Sequence, residues 1–90
     1  MQKANHNNDL RDILRWYGFN ARIESFGGHI HHVVVPDDDC TFIVGFDDGG
    51  TDNELCLVIE SECGTEEILC CATLEKVVAV LREFNPTVSK

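Results

Sequence analysis

The chain's ninety residues are one domain's worth: at that size folding buries only somewhat more than about 60% of the surface the unfolded chain exposes, so the core is one or two layers deep. Its 43% hydrophobic residues, five Phe and single Trp against two Pro exclude a disordered segment and predict one globular domain over residues 1–90, with residues 1–8 a flexible lead-in. Its net charge of -9 disfavours nucleic acid and anionic membrane as partners and favours a basic protein surface, because like charge repels and opposite charge steers association.

Leu10, Ile13, Leu14 and Tyr17 fall at i, i+3, i+4 and i+7 and share one helical face, with Asn8 or Asp9 placed to cap the start and Gly18 to end it. Arg11, Asp12 and Arg15 take the solvated side, and Trp16 borders the apolar stripe. The period then changes to short runs rich in Val, Ile, Phe and Cys between turn residues. That pattern predicts antiparallel strands near Asn20–Phe26, His29–Val35, Cys40–Phe46, Glu54–Glu60 and Glu66–Ala72. Gly27-Gly28 reads as a two-residue hairpin turn, since glycine tolerates the positive φ such turns demand. Pro36-Asp37-Asp38-Asp39 makes the next turn, Asp47–Asn53 a longer polar loop, and Cys63-Gly64 the centre of the last hairpin. Thr73 then precedes Leu74, Val77, Val78, Leu81 and Phe84, again on one helical face, with Glu75 early, Arg82 late and Pro86 past the end. A start at Thr65 would make one long helix and delete the fifth strand, but Leu69-Cys70-Cys71-Ala72 carries no polar stripe. The expected fold is α+β: an antiparallel meander of four or five strands flanked by an N-terminal and a C-terminal helix, in two layers.

With those turns, alternation puts Ala21, Ile23, Ile30, Val34, Phe42, Val44, Phe46, Leu55, Leu57, Ile59, Ile68 and Cys70 on one side of the sheet, where two amphipathic helices can cover them. The other side would carry Val33, Val35, Ile43, Val58, Leu69, Cys56 and Cys71, edged by Glu24, Asp47, Glu54, Glu60, Glu62 and Glu67. Burying each Val, Leu or Ile is worth about 1.5–3 kcal/mol, and monomers rarely leave large apolar patches in water, so a cover is expected. Three covers are open: the helices on opposite faces, a face-to-face homodimer, or a target protein docked inside the carboxylate rim. The partner-binding set that follows is Glu24, Asp47, Asp48, Glu54, Val58, Glu60, Glu62 and Glu67.

The charge is unevenly placed. Lys3, Arg11, Arg15, Arg22, Lys76, Arg82 and Lys90 leave no basic residue between Ile23 and Glu75, whereas every carboxylate except Asp9, Asp12 and Glu83 lies in that interval. Duplex DNA presents one charge per about 3.4 Å of axis per strand, but a β-strand shows a same-face carboxylate at best every ~6.6 Å. Dense mimicry of DNA by the sheet is therefore not expected, although loops and rims can imitate a few phosphates. Met1–Asn8 has no apolar signal-like run and no segment approaches the roughly 18 apolar residues of a membrane span, so a cytoplasmic location is expected. Cys40, Cys56, Cys63, Cys70 and Cys71 are odd in number and contain no CxxC, which reads as reduced, mostly buried thiols.

Among chemical motifs, His29-Ile30-His31-His32 stands out because imidazoles two apart on a strand share a face and can chelate a metal with a nearby carboxylate or thiol. In the hairpin proposed above, Glu24 lies opposite His31. Zinc motifs, however, normally supply two paired ligand sets, and these cysteines are scattered over other strands, so no metal is expected and His29 and His31 are only the nearest candidates. Asp47, Asp48, Asp52 and Glu54 around Gly49-Gly50 lack the calcium-loop spacing. Cys70 and Cys71 point to opposite faces if they lie on a strand, and the last hairpin pairs Cys71 with Cys56, as a redox pair or as two small packed side chains. Neither a G-x-S-x-G elbow nor a phosphate-binding glycine loop occurs, and a small two-layer meander leaves little room for a cleft, so neither enzyme activity nor a cofactor is expected.

In size, acidity and lack of enzyme motifs the chain resembles, as a type, the small inhibitors of phages and mobile elements, including anti-CRISPR proteins, and acidic immunity proteins. The likeness covers the general character of all ninety residues and no specific signature. It implies a basic, nucleic-acid-handling host protein as target, blocked by occupancy of its surface. Two other readings stand beside it: a small metal-binding or redox-sensing module using His29, His31 and a cysteine, and a homodimeric structural or regulatory module.

Overall fold

A computed structural model describes residues 7–25, 27, 30–46 and 54–84. Helix α1 spans Asn7–Trp16 and buries Leu10, Ile13 and Leu14, the stripe its spacing predicts, although it starts ahead of a cap at Asn8 or Asp9. Gly18 ends it at φ 99°, a left-handed conformation that only glycine enters without penalty. The Gly18 N–H donates to the Arg15 carbonyl at 2.9 Å and the Phe19 N–H to the Leu14 carbonyl at 3.1 Å, which satisfies carbonyls of the last turn. The chain turned this way buries Phe19, and the Arg15 Nε donates to the Ala21 carbonyl at 2.8 Å.

Five strands follow: β1 (Arg22–Ser25), β2 (His31–Pro36), β3 (Cys40–Phe46), β4 (Leu55–Ser61) and β5 (Gly64–Ala72). They pair antiparallel in the order β1-β2-β3-β4-β5. Helix α2 (Leu74–Phe84) then begins at Thr73, whose Oγ1 accepts the Lys76 N–H at 3.2 Å as an N-cap. The fold is thus the expected α+β meander with a helix at each end. The run from Leu69 to Ala72 belongs to β5, not to an extended α2.

Both helices lie on the same face of the sheet, α1 over β1 and β2 and α2 over β4 and β5. Their stripes merge with Val33, Val35, Phe42, Val44, Leu55 and Leu57 into one core. The shortest dimension of the molecule, 20 Å, holds one sheet and one helical layer of about 10 Å each. Helices on opposite faces are excluded. None of the helices among the described residues is long and apolar enough to cross a membrane.

Two parts of the expected register are overturned. Ser25 pairs with His31 and Glu24 with His32, since β1 ends at Ser25 and β2 begins at His31, which does not match the register of a two-residue Gly27-Gly28 turn; the Ile30 N–H donates to the Gly27 carbonyl at 3.0 Å. A one-residue slip exchanges every side chain of a strand between faces. Val33 and Val35 therefore enter the core, Val34 turns away from it, and Glu24 no longer stands opposite His31. On β5, Leu57 pairs with Leu69 but Val58 with Glu67 and Leu55 with Ala72, which marks two irregularities. Their effect is that Ile68 and Leu69 both pack against the core, and that Cys70 and Cys71 together stand opposite Cys56. The last turn also differs by one residue: Ser61 pairs with Gly64, so Glu62-Cys63 forms the turn and the positive φ of 121° falls on Gly64.

Candidate functional site

The sheet face without helices is organised by pairing into rows across the strands. One row runs Arg22, Val34, Ile43, Val58, Glu67 and a second runs Pro36, Thr41, Glu60, Thr65. Between Arg22 and Glu67 the first row is wholly apolar. Val34 is fully shielded, although it stands outside the core cluster, and Ile43 and Val58 are half-buried. A third row passes from Glu24 through His32 to Gly45 and Cys56.

Gly45 is what lets that third row lie flat. A Cβ at this position would fall 2.8 Å from His32 Nδ1 and 3.1 Å from its Cε1, so the imidazole rests directly on the glycine backbone. A glycine inside an apolar strand is the sequence signal for such a close approach, and sequence reasoning passed over it.

The predicted partner-binding residues are distributed unequally over this surface. Val58 sits in the central row, Glu60 and Glu67 are exposed on the same face, and Glu62 is exposed in the β4–β5 turn. Glu54 is half-buried just ahead of β4. Glu24 also reaches the open face, at its β1 edge, but pairs there with Arg22 through an Nη2–Oε2 contact of 2.6 Å and an Nε–Oε2 hydrogen bond of 2.8 Å. Asp47, Asp48 and His29 lie outside the described residues. His31 projects to the other side, where with Asn7, Asn8 and Ile23 it lines a shallow depression open to solvent. Its carbonyl accepts a 2.9 Å hydrogen bond from the Asn7 Nδ2. His31 and Glu24 therefore cannot complete one metal site.

The β5 irregularity brings together side chains that strand alternation would separate. Cys71 takes φ 52°, the described non-glycine residue with a positive value, and the Cys70 and Cys71 sulfurs stand 3.8 Å apart on a common side. This corrects the expectation that they face opposite ways. Cys56 Sγ, Cys70 Sγ and a Glu67 carboxylate oxygen all lie within 4.8 Å of one another, with Cys56 half-buried and the other two exposed. The Cys70 thiol is held above its usual pKa, first by its hydrogen bond with Cys71; a hydrogen bond with Cys56 pulls the other way. Cys40, at the start of β3, is raised by burial and then by the charges of Asp37 and Asp39. None of the five cysteines is in a disulfide, and Cys63, Cys70 and Cys71 are exposed, not buried as expected.

On the helical side, Trp16 is 80% exposed. Its ring meets Tyr17 edge-on at 5.1 Å, and the Arg82 guanidinium caps the Tyr17 ring at 5.5 Å. The sequence places Trp16 at the border of the α1 stripe, and the helix turns it outward.

Compared with protein-family models, curated proteins and solved structures, the chain matches none.

Proposed function

We propose that this chain is a non-enzymatic binding protein, an inhibitor of the anti-CRISPR type, acting in the cytoplasm of a host cell by occupying a basic surface of a nucleic-acid-handling protein with the open face of its sheet. The observation that carries the reading is the half-buried apolar pair Ile43 and Val58 on a face without helices, bordered by Glu60, Glu62 and Glu67, which are all exposed. A dehydrated centre with a charged edge is the anatomy of a protein interface. The edge selects the partner: no basic residue occurs between Ile23 and Glu75, so the β3–β5 half of this face carries one sign of charge, and Arg22 beside it is engaged by Glu24. A second copy of the chain is the weaker occupant, because face-to-face pairing would bring -9 against -9 at close range.

The test is capture of host-cell proteins by the immobilised chain at low and at high salt. The expected captured species is basic, elutes as salt rises, and is lost both with Val58→Asp and with Glu60→Lys/Glu62→Lys, since rim charges govern association rate and salt dependence. Salt-independent capture, or capture unchanged by both variants, refutes the proposal. A stable dimer abolished by Val58→Asp would replace it with the homodimer reading.

A further inference from the structure

We infer that Cys56, Cys70 and Glu67 form a zinc-binding site on the open face of the sheet. Three features support it, none of which involves the histidine cluster.

The first is the spacing. Ligands of one tetrahedral zinc at Zn–S ≈ 2.3 Å stand about 3.8 Å apart. The ligand atoms of Cys56, Cys70 and Glu67 are mutually within 4.8 Å, so side-chain rotation of the two exposed members brings them to that distance. The sulfur of Cys71 lies 3.8 Å from that of Cys70.

The second is the donor set. Two thiolates and a carboxylate combine soft and hard ligands, which suits borderline Zn²⁺; copper(I) prefers thiolates alone, and calcium or magnesium oxygen alone. Binding is balanced by proton loss: each of the two thiols releases its proton as its Zn–S bond forms, while the carboxylate binds as it stands.

The third is how the cluster arises. The ligands come from β4 and from two positions of β5 that regular alternation would send to opposite faces. They meet because the extra residue Ile68, between the pairs Val58–Glu67 and Leu57–Leu69, returns Cys70 to the face of Glu67 opposite Cys56; one step later Cys71 adopts φ 52°. Bulges of this kind re-aim side chains beside functional sites. Cys70 and Glu67 are exposed, which gives the ion a route in, and the surrounding negative charge draws cations toward it.

The experiment uses the reduced full chain with Zn²⁺ alone, so it is independent of any protein partner and can fail or succeed whatever the fate of the binding proposal. Native mass spectrometry is expected to show a one-to-one zinc adduct. Competition with a chromophoric chelator gives its affinity, and Co²⁺ in place of zinc shows a thiolate charge-transfer band with tetrahedral ligand-field intensity. Removal of groups that merely orient a ligand typically costs 10–100-fold in affinity, so Cys70→Ser is expected to cost at least about 100-fold and Glu67→Gln at least about 10-fold. Cys63→Ser, in the turn at the other end of the β4–β5 hairpin, should change nothing. Cys70 and Glu67 are exposed, and an unchanged circular dichroism spectrum verifies that their variants are folded. Absence of a stoichiometric adduct, an affinity indifferent to Cys70→Ser, or an equal loss in Cys63→Ser overturns the inference.

Discussion

Replacing Gly45 with alanine tests whether the open face is shaped by the seat of His32 on the sheet. The added methyl would lie 2.8 Å from Nδ1 and 3.1 Å from Cε1 of the imidazole, closer than packed atoms tolerate, so the ring must swing off the strand. Leaving a good rotamer costs about 0.5–1.5 kcal/mol, and giving up the interaction the ring makes costs a further ~0.5–1.5 kcal/mol. Alanine returns about 0.5–1 kcal/mol, because glycine is entropically expensive in a strand. The net expectation is a loss of about 1 kcal/mol, or a fall in Tm of roughly 4–8 °C for a domain of this size. The sign reverses once the ring is gone: in a His32→Ala background, Gly45→Ala should stabilise by about 0.5–1 kcal/mol. Urea unfolding of the four proteins closes the cycle, with an expected coupling near 1.5–2 kcal/mol. An equal loss in both backgrounds would refute the contact and place the cost of a side chain at residue 45 elsewhere in the sheet.

Phe42 is 1% exposed and packs on Phe84 with centroids 5.3 Å apart. Phe42→Ala should cost about 3–5 kcal/mol in denaturant unfolding, a large share of the ~5–15 kcal/mol a domain possesses, whereas Phe84→Ala, at a ring 47% exposed, should cost less than half as much. The thiol of Cys40 titrates above its ordinary value of 9.0 in the folded chain, through burial and then Asp37 and Asp39. The unfolded chain therefore releases that proton first. Its contribution to stability is complete below that value and falls as pH rises through and beyond it. Stability measured from neutral to alkaline pH should decline less steeply in Cys40→Ala than in the parent; identical slopes would contradict the shift.

What was legible in the sequence was whatever depends on local period. Leu10, Ile13 and Leu14 of the first helical stripe and Leu74, Val77, Val78 and Leu81 of the second are buried, with Tyr17 half-buried and Phe84 exposed at the stripe ends, and β3 matches its expected limits, Cys40–Phe46, because alternation over seven residues leaves one register. What was not legible depends on counting residues between elements. Gly27-Gly28 carries the chemistry of a two-residue turn, yet β1 ends at Ser25 and β2 begins at His31, and the parity of β2 follows from that count alone. Val33, Val34 and Val35 are equally apolar, so no side chain in the middle of the strand could reveal the error.

The thiol cluster was hidden for a related reason. Regular alternation separates Cys70 from Glu67 and from Cys71; the irregularity at Ile68 returns Cys70 to the face of Glu67, within 4.8 Å of it and of Cys56, and the extra residue opposite Cys56 sets Cys71 beside them. Composition cannot place that residue, because the run Ile68-Leu69-Cys70-Cys71-Ala72 lacks the glycine that usually marks a positive φ, and Cys71 takes it instead. A cysteine held at φ 52° costs on the order of 1–2 kcal/mol that a glycine would avoid. Strain of this kind persists where surrounding structure over-determines it and gathers at functional positions. On this sheet it falls beside the two thiols and the carboxylate that can share an ion, on the same face that presents Val58 and the acidic rim. A metal bound there would offset part of the rim's negative charge at Glu67 and leave Glu60 and Glu62 as its unneutralised edge.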